Sequence, residues 1–186
     1  MNRAAVPWLK CSAFWPLSAF LSVGGIAGYS KAMAKFKTSK ALDQVSTTVA
    51  NVRTLYSGQP NYSGLTTEIA IKMGAIGAEM LSGQSPTSAK VAYNAFNGEV
   101  TISATTLSGR ANAGFTLVFS GLSKEACVQM ASSDWGSGSG SGLVSVQAGT
   151  ATAGTTASGT LPLNLATAAG GCNQEGDANK VTWVYY

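Results

Sequence analysis

The chain contains few residues that could carry out chemistry. There is no histidine among the 186 residues, which removes Ser-His-Asp and Cys-His catalytic arrangements and imidazole metal ligands. Of the eight acidic residues, only Glu175 and Asp177 form a close pair, in the turn-like run NQEGDAN. That pair could hold calcium, and a solvated turn is the alternative. We therefore expect no enzyme: no catalytic residue, no cofactor and no metal.

Three cysteines remain as possible reactive groups, namely Cys11, Cys127 and Cys172. No CxxC or Cys/His cluster is present, which argues against zinc. A Cys127–Cys172 disulfide would close a loop of about 46 residues and stabilise the fold by ~4 kcal/mol in the chain-entropy model. It would require an oxidising compartment. Two buried free thiols are the alternative.

The longest regular pattern runs over residues 21–56 and contains no proline. Its C-terminal part has apolar residues three and four apart, which predicts one stripe of a helix packed against a head domain. The stripe consists of Leu42, Val45, Val49, Val52 and Tyr56, whereas Asp43, Gln44, Thr47, Asn51 and Arg53 fall largely off it. A helix of about 36 residues would be roughly 54 Å long. Few small domains need such a helix, so we expect it to serve assembly as well as folding.

The remaining residues, 57–186, predict a compact α+β head. Ser57-Gly58 ends the long helix, and a second helix is expected over residues 68–81 with Ile69, Met73, Ile76 and Met80 on its apolar face. Residues 82–95 read as a loop, residues 99–103 and 114–119 as a hairpin, and residues 124–132 as a third helix capped by Ser123.

The last third of the chain combines low-complexity loops with strands. The loops are residues 136–142, GSGSGSG, and residues 149–160, and a short strand at 143–146 separates them. Residues 161–169 suit a short helix or an extended segment. Residues 180–186 alternate as an inner strand of an antiparallel sheet, with Val181, Trp183 and Tyr185 on one face. The expected domains are an atypical segment 1–20, a helix 21–56 and a head 57–186.

Charge is sparse, at 11% of residues against about a quarter in typical proteins. Four lysines, Lys31, Lys35, Lys37 and Lys40, follow an apolar segment. They could be a solvated helix face or a juxtamembrane cluster that favours the cytoplasmic side and anionic lipid. The other basic residues are scattered among acids, so we expect no nucleic-acid partner.

From Gly24 onwards the chain resembles the type IVb pilins and related pseudopilins. The matching stretches are residues 25–29 leading into the basic helix, 52–56 at its end, 62–66 in the first turn, and 121–127 with Cys172. The resemblance implies a long N-terminal helix packed on an antiparallel sheet head. It also implies a disulfide between Cys127 and Cys172 and an assembly face on the helix comprising Ile26, Tyr29, Met33 and Phe36.

The resemblance further implies a filament subunit whose main partner is itself. The intact protein would be processed by a prepilin peptidase and assembled by pilus machinery. It would reside in the bacterial inner membrane and then in an extracellular pilus or periplasmic pseudopilus. The alternative is a secreted or membrane-anchored adhesin that does not polymerise, with a ligand pocket formed by the loops at 136–142 and 149–160.

Residues 1–20 depart from the pilin pattern, which has a basic leader, a glycine cleavage site and a glutamate at position five of an apolar run. A shifted reading frame, in which each new codon consists of the last base of one codon and the first two bases of the next, can encode that pattern across residues 4–20. Phe14-Trp15 must then encode leucine and Trp15-Pro16 must encode alanine. Other codons, freely chosen, permit glycine followed five residues later by glutamate. We therefore hypothesise that the N-terminus is translated in a shifted frame, which would make Trp8, Cys11 and Trp15 artefacts.

The nucleotide sequence tests this hypothesis directly. The glutamate arises from Leu9-Lys10 only when the leucine codon ends in G. Sequencing the gene upstream of Leu21 is expected to show that base and a prepilin-like junction in the shifted frame. Any other last base in the Leu9 codon would remove the glutamate and refute the hypothesis.

Overall fold

The computed structural model describes residues 15–136, 138 and 140–186, with side chains described from Gly28 onwards. The hypothesis for residues 1–14, including Trp8 and Cys11, lies outside the described residues. The helices are α1 (Trp15–Tyr56), α2 (Thr67–Lys72), α3 (Lys124–Ser132) and α4 (Leu165–Gly171), with a 3₁₀ turn at Ala78–Met80. The strands are β1 (Ala92–Tyr93), β2 (Glu99–Leu107), β3 (Arg110–Leu122), β4 (Leu143–Ala148), β5 (Gly154–Thr155) and β6 (Asn179–Tyr185).

The long helix α1 contains 42 described residues and already includes positions before residue 21, the predicted start. The helix ends at Tyr56, and Gln59 N donates to the Tyr56 carbonyl in the turn that follows. The boundary between the two compact units of the chain falls within α1, between Phe36 and Lys37.

The second unit, residues 37–186, is built around a buried face of α1. Val45, Val49 and Val52 are buried in the main core, and Leu42 and Tyr56 pack against it half-buried. This face is wider than the predicted stripe because Ala41, Gln44 and Thr48 are also buried. The expectation that Gln44 lies off the packed face was wrong, because a loop of the head covers it.

The sheet has six antiparallel strands in the order β1-β2-β3-β6-β4-β5. The C-terminal strand β6 lies between β3 and β4, as its alternation predicted. Val181, Trp183 and Tyr185 are buried on one face. Together with the core face of α1, this confirms the α+β fold with a long N-terminal helix and an antiparallel sheet.

The predicted second helix over residues 68–81 was wrong in extent. Helix α2 stops at Lys72, Met73 caps it, and Gly74 has φ +75°, a left-handed conformation that ends a right-handed helix. Ile76 and Met80 are buried, but Ile69 and Met73 are more than a third exposed. Ala70 and Ile71 occupy the core instead.

Three other expectations changed in detail. The hairpin is longer than predicted, because β2 and β3 extend to Leu107 and Arg110 and leave only a two-residue turn. The expected loop at 82–95 contains the edge strand β1. The open choice for residues 161–169 is resolved as a loop followed by α4, whose N-cap Asn164 accepts a hydrogen bond from Thr167 N at 2.8 Å.

Because one face of α1 packs on the sheet, substitutions at adjacent positions of the helix should change the free energy of unfolding by different amounts. Val45 is fully buried and Ser46 is exposed. We expect Val45→Ala to lower the free energy of unfolding by about 1–3 kcal/mol, since it removes two buried carbons and leaves a cavity. Ser46→Ala should stay within about 0.5 kcal/mol of the wild type in the same urea titration. Equal effects at both positions would contradict this packing.

Candidate functional site

The two C-terminal cysteines form a disulfide, which confirms the prediction over the alternative of free thiols. Cys127 lies in α3 and Cys172 directly follows α4, with Cα atoms 5.8 Å apart. Both residues are buried. The bond therefore joins two surface helices that lie far apart in the sequence.

Local sequence places each cysteine. Ser123 caps α3 as predicted, and its hydroxyl accepts a hydrogen bond from Ala126 N at 3.4 Å. Gly171 allows α4 to approach β4, since a Cβ at that position would overlap the carbonyl oxygen of Ala148. The Gly-Gly-Cys sequence thus brings Cys172 within reach of Cys127.

The acidic turn after Cys172 is held by an ion pair. Lys124 Nζ lies 2.6 Å from Glu175 Oε1. The hydrogen bond from Lys124, together with its charge, lowers the pKa of Glu175 below its usual value. Within the described ranges, no three His, Cys, Asp or Glu side chains are grouped as a metal would need. The calcium alternative therefore gains no support from the structure.

Three polar side chains of α1 tie loops of the head to the helix. Gln44 Oε1 accepts from Ala95 N at 3.0 Å, and Asn51 Nδ2 donates to the Ala75 carbonyl at 3.2 Å. Arg53 Nη1 donates to the Ser141 carbonyl at 2.6 Å, which anchors the predicted low-complexity loop. Sequence reasoning missed these roles because it treated positions beside the apolar stripe as solvated. Their short polar contacts have no periodic signal of their own.

The end of α1 connects to the sheet through a chain of aromatic rings. Ring centroids are 5.2 Å apart for Tyr56–Tyr62, 5.0 Å for Tyr62–Phe115 and 5.6 Å for Phe115–Tyr185. Burial raises the pKa of Tyr185 to about 12, and the charge of Arg53 acts in the opposite direction. Burial likewise raises the pKa of Tyr62. Both phenols are therefore neutral at physiological pH.

The predicted assembly face differs from the packed face in its exposure. Tyr29 is 68% exposed, Phe36 63% and Met33 36%, whereas Val45 and Val52 are fully buried. The side chain of Ile26 lies outside the described ones. None of the helices that the structure describes is long and apolar enough to cross a membrane.

One apolar groove of about 430 Å³ lies beside the edge strand β5 and the C-terminus. It is lined by Leu143, Val144, Thr155, Thr156, Ala157 and Tyr186. Residues 155–157 belong to the predicted loop at 149–160. None of the described residues of the loop at 136–142 is among those that line this groove.

A family model described as PilS N terminal matches residues 35–186. The match covers the buried part of α1, the whole sheet and both cysteines. The protein belongs to this family of type IV pilins. Such proteins are structural subunits rather than enzymes, in agreement with the expectation from composition.

Solved pilin structures share the fold. The chain is similar to the crystal structure of a type IVb pilin from Salmonella typhi, with TM-score 0.59 and 19% identity over 78% of this chain and 97% of that one. It is also similar to TcpA, a type IV pilin from the Vibrio cholerae El Tor biotype, with TM-score 0.50 and 14% identity over 81% and 99% of the two chains. No curated protein sequence matches the chain. The pilin fold is therefore retained at low sequence identity.

We expect the disulfide to stabilise this pilin head. We expect Cys127→Ser and Cys172→Ser each to lower the free energy of unfolding by about 2–5 kcal/mol, because either change opens the covalent link between α3 and α4. Denaturant unfolding of the oxidised protein measures the effect. Cys11→Ser, which removes a cysteine outside the bond, is the control. Equal thermal midpoints with and without reductant would contradict a stabilising disulfide.

Proposed function

We propose that this protein is the structural subunit of a type IV pilus, or of the related pseudopilus of a type II secretion system, and that its copies assemble through α1. The observation that carries the proposal is the exposed apolar face of α1. The helix buries Val45, Val49 and Val52 in its own head, whereas Tyr29, Met33 and Phe36 remain exposed. Family membership and the pilin fold support the same function.

The spacing of the assembly face supports contact between helices. Ile26, Tyr29, Met33 and Phe36 recur three and four residues apart, so they share one side of α1. A large apolar side chain contributes about 1.5–3 kcal/mol when it is fully buried. Several such side chains on every copy would stabilise a helix-packed filament, because each neighbouring copy would add to the apolar surface that is buried.

The sheet edges make assembly through strands less favourable. Edge strands β1 and β5 have two residues each. Short edges present few unpaired backbone groups to another chain. This leaves the helix as the better surface for polymerisation.

The proposed role implies a sequence of environments and partners. The subunit would reside at the bacterial inner membrane before assembly and then in an extracellular pilus or a periplasmic pseudopilus. A prepilin peptidase and the pilus assembly machinery would act on the intact protein. The disulfide supports an oxidising compartment for the head.

An adhesin that does not polymerise is the second candidate. The apolar groove beside β5, with the half-exposed Tyr186 at its rim, favours it. That groove does not require the exposed face of α1. The two functions therefore differ in whether α1 drives self-association.

Sedimentation of the purified full chain over a concentration series tests the proposal. We expect the wild type to form larger species as concentration rises, and electron microscopy to show them as filaments. The triple substitution Y29A/M33A/F36A should raise the concentration needed by at least about tenfold, because it removes more than 1.4 kcal/mol of apolar contact per copy.

The matched control is S39A/S46A/T47A, three alanine substitutions at exposed polar positions of the same helix. This variant should assemble like the wild type. A wild-type protein that stays monodisperse at every concentration would overturn the proposal and favour the adhesin.

A further inference from the structure

A polar cleft of about 460 Å³ lies where α1 ends, beside Tyr186. Its volume falls in the range of sites that hold small molecules. Six residues from three segments of the chain line it, namely Arg53, Thr54, Tyr56, Ser57, Tyr62 and Tyr186. None of the six lies in a strand, so the cleft offers no backbone edge with which an extended peptide could pair.

Arg53 supplies the positive charge of this cleft. Its Nη1 donates to the Ser141 carbonyl at 2.6 Å, which uses one of the five N–H groups of a guanidinium. Neither of the two ion pairs in the part of the chain that the structure describes includes Arg53. A planar guanidinium matches a carboxylate, which accepts two parallel hydrogen bonds from it. The cleft is therefore suited to a ligand that carries a carboxylate.

Tyrosine rings form the walls of the same cleft. The ring centroids of Tyr56 and Tyr62 are 5.2 Å apart, and Tyr62 in turn packs on Phe115 at 5.0 Å. Tyr62 N donates to the Asn112 carbonyl at 2.9 Å, which fixes the turn that carries this ring. Tyr186 is 52% exposed. Because the face of an aromatic ring carries partial negative charge, it attracts the C–H groups on the face of a sugar ring.

The two hydroxyl side chains of the lining can accept hydrogen bonds from a ligand. Thr54 Oγ1 donates to the Ala50 carbonyl and Ser57 Oγ donates to the Thr54 carbonyl, both at 2.8 Å. Because each hydroxyl proton is engaged in this way, the oxygen lone pairs remain for the hydroxyl groups of a ligand. An acidic sugar combines all three matching features, which are a carboxylate, a face of C–H groups and an edge of hydroxyls.

We propose that this cleft binds an acidic sugar, a hexose ring that carries a carboxylate, as a uronic acid does. Arg53 pairs with the carboxylate, and the rings of Tyr56 and Tyr186 contact the face of the sugar. The site goes beyond the proposed function, because it gives the head a ligand whether or not copies of the chain polymerise. It also differs from the apolar groove beside β5, where no cationic side chain is among the described lining residues.

Saturation-transfer NMR of the full chain with two sugars tests this proposal. Methyl glucuronide carries the carboxylate, and methyl glucoside is its neutral counterpart. We expect the wild type to bind the glucuronide at least about tenfold more tightly, because only this sugar forms charged hydrogen bonds with Arg53. Arg53→Gln should remove the preference, and Arg53→Lys should keep only part of it, since an ammonium lacks the planar fork. Tyr186→Ala should weaken binding of both sugars.

The matched controls are Lys180→Gln, which removes an exposed positive charge elsewhere on the head, and Ala157→Trp, which fills the groove beside β5. Both should bind the sugars like the wild type, and thermal unfolding should show that all variants remain folded. Equal binding of the two sugars by the wild type, or a preference that survives in Arg53→Gln, would overturn the proposal. So would binding of acetate or inorganic phosphate as tight as that of the glucuronide. The measurement observes the sugar on monomers and filaments alike, so its result is independent of whether the protein assembles.

Discussion

The structure depends on the burial of one face of α1 against the sheet. Ala41, Val45 and Val52 are fully buried and bring the helix into the same core as Phe115 and Trp183. Burial at about 25 cal/mol per Å² of apolar surface supplies the main stabilisation. Polar side chains beside this face then fix the loops, because Gln44 accepts a hydrogen bond from Ala95 N and Asn51 donates one to the Ala75 carbonyl.

The surface helices α3 and α4 are held by a different kind of restraint. They have nine and seven residues, too short to be stable alone. Side-chain caps at Ser123 and Asn164, a glycine contact at β4 and the disulfide hold them in place.

Much of the fold could be predicted from periodicity and caps. The long helix, the hairpin, the Ser123 cap and the inner strand β6 follow from strong local signals that agree with tertiary packing. The break after Lys72 could not be predicted from periodicity, because Ile69, Met73, Ile76 and Met80 follow a helical spacing that the left-handed Gly74 interrupts. The burial of Gln44 depends on a loop about fifty positions away, so no window on α1 contains that information.

The aromatic chain at the end of α1 has a mechanical consequence. If copies assemble through α1 as proposed, tension along the filament would reach each head through this helix. Tyr56 passes the load through Tyr62 and Phe115 to Tyr185 on β6, a central strand paired on both sides. Because β6 is hydrogen-bonded to β3 on one side and to β4 on the other, a load that reaches Tyr185 would be shared between two neighbouring strands. The head is thereby suited to carry tensile load without unravelling.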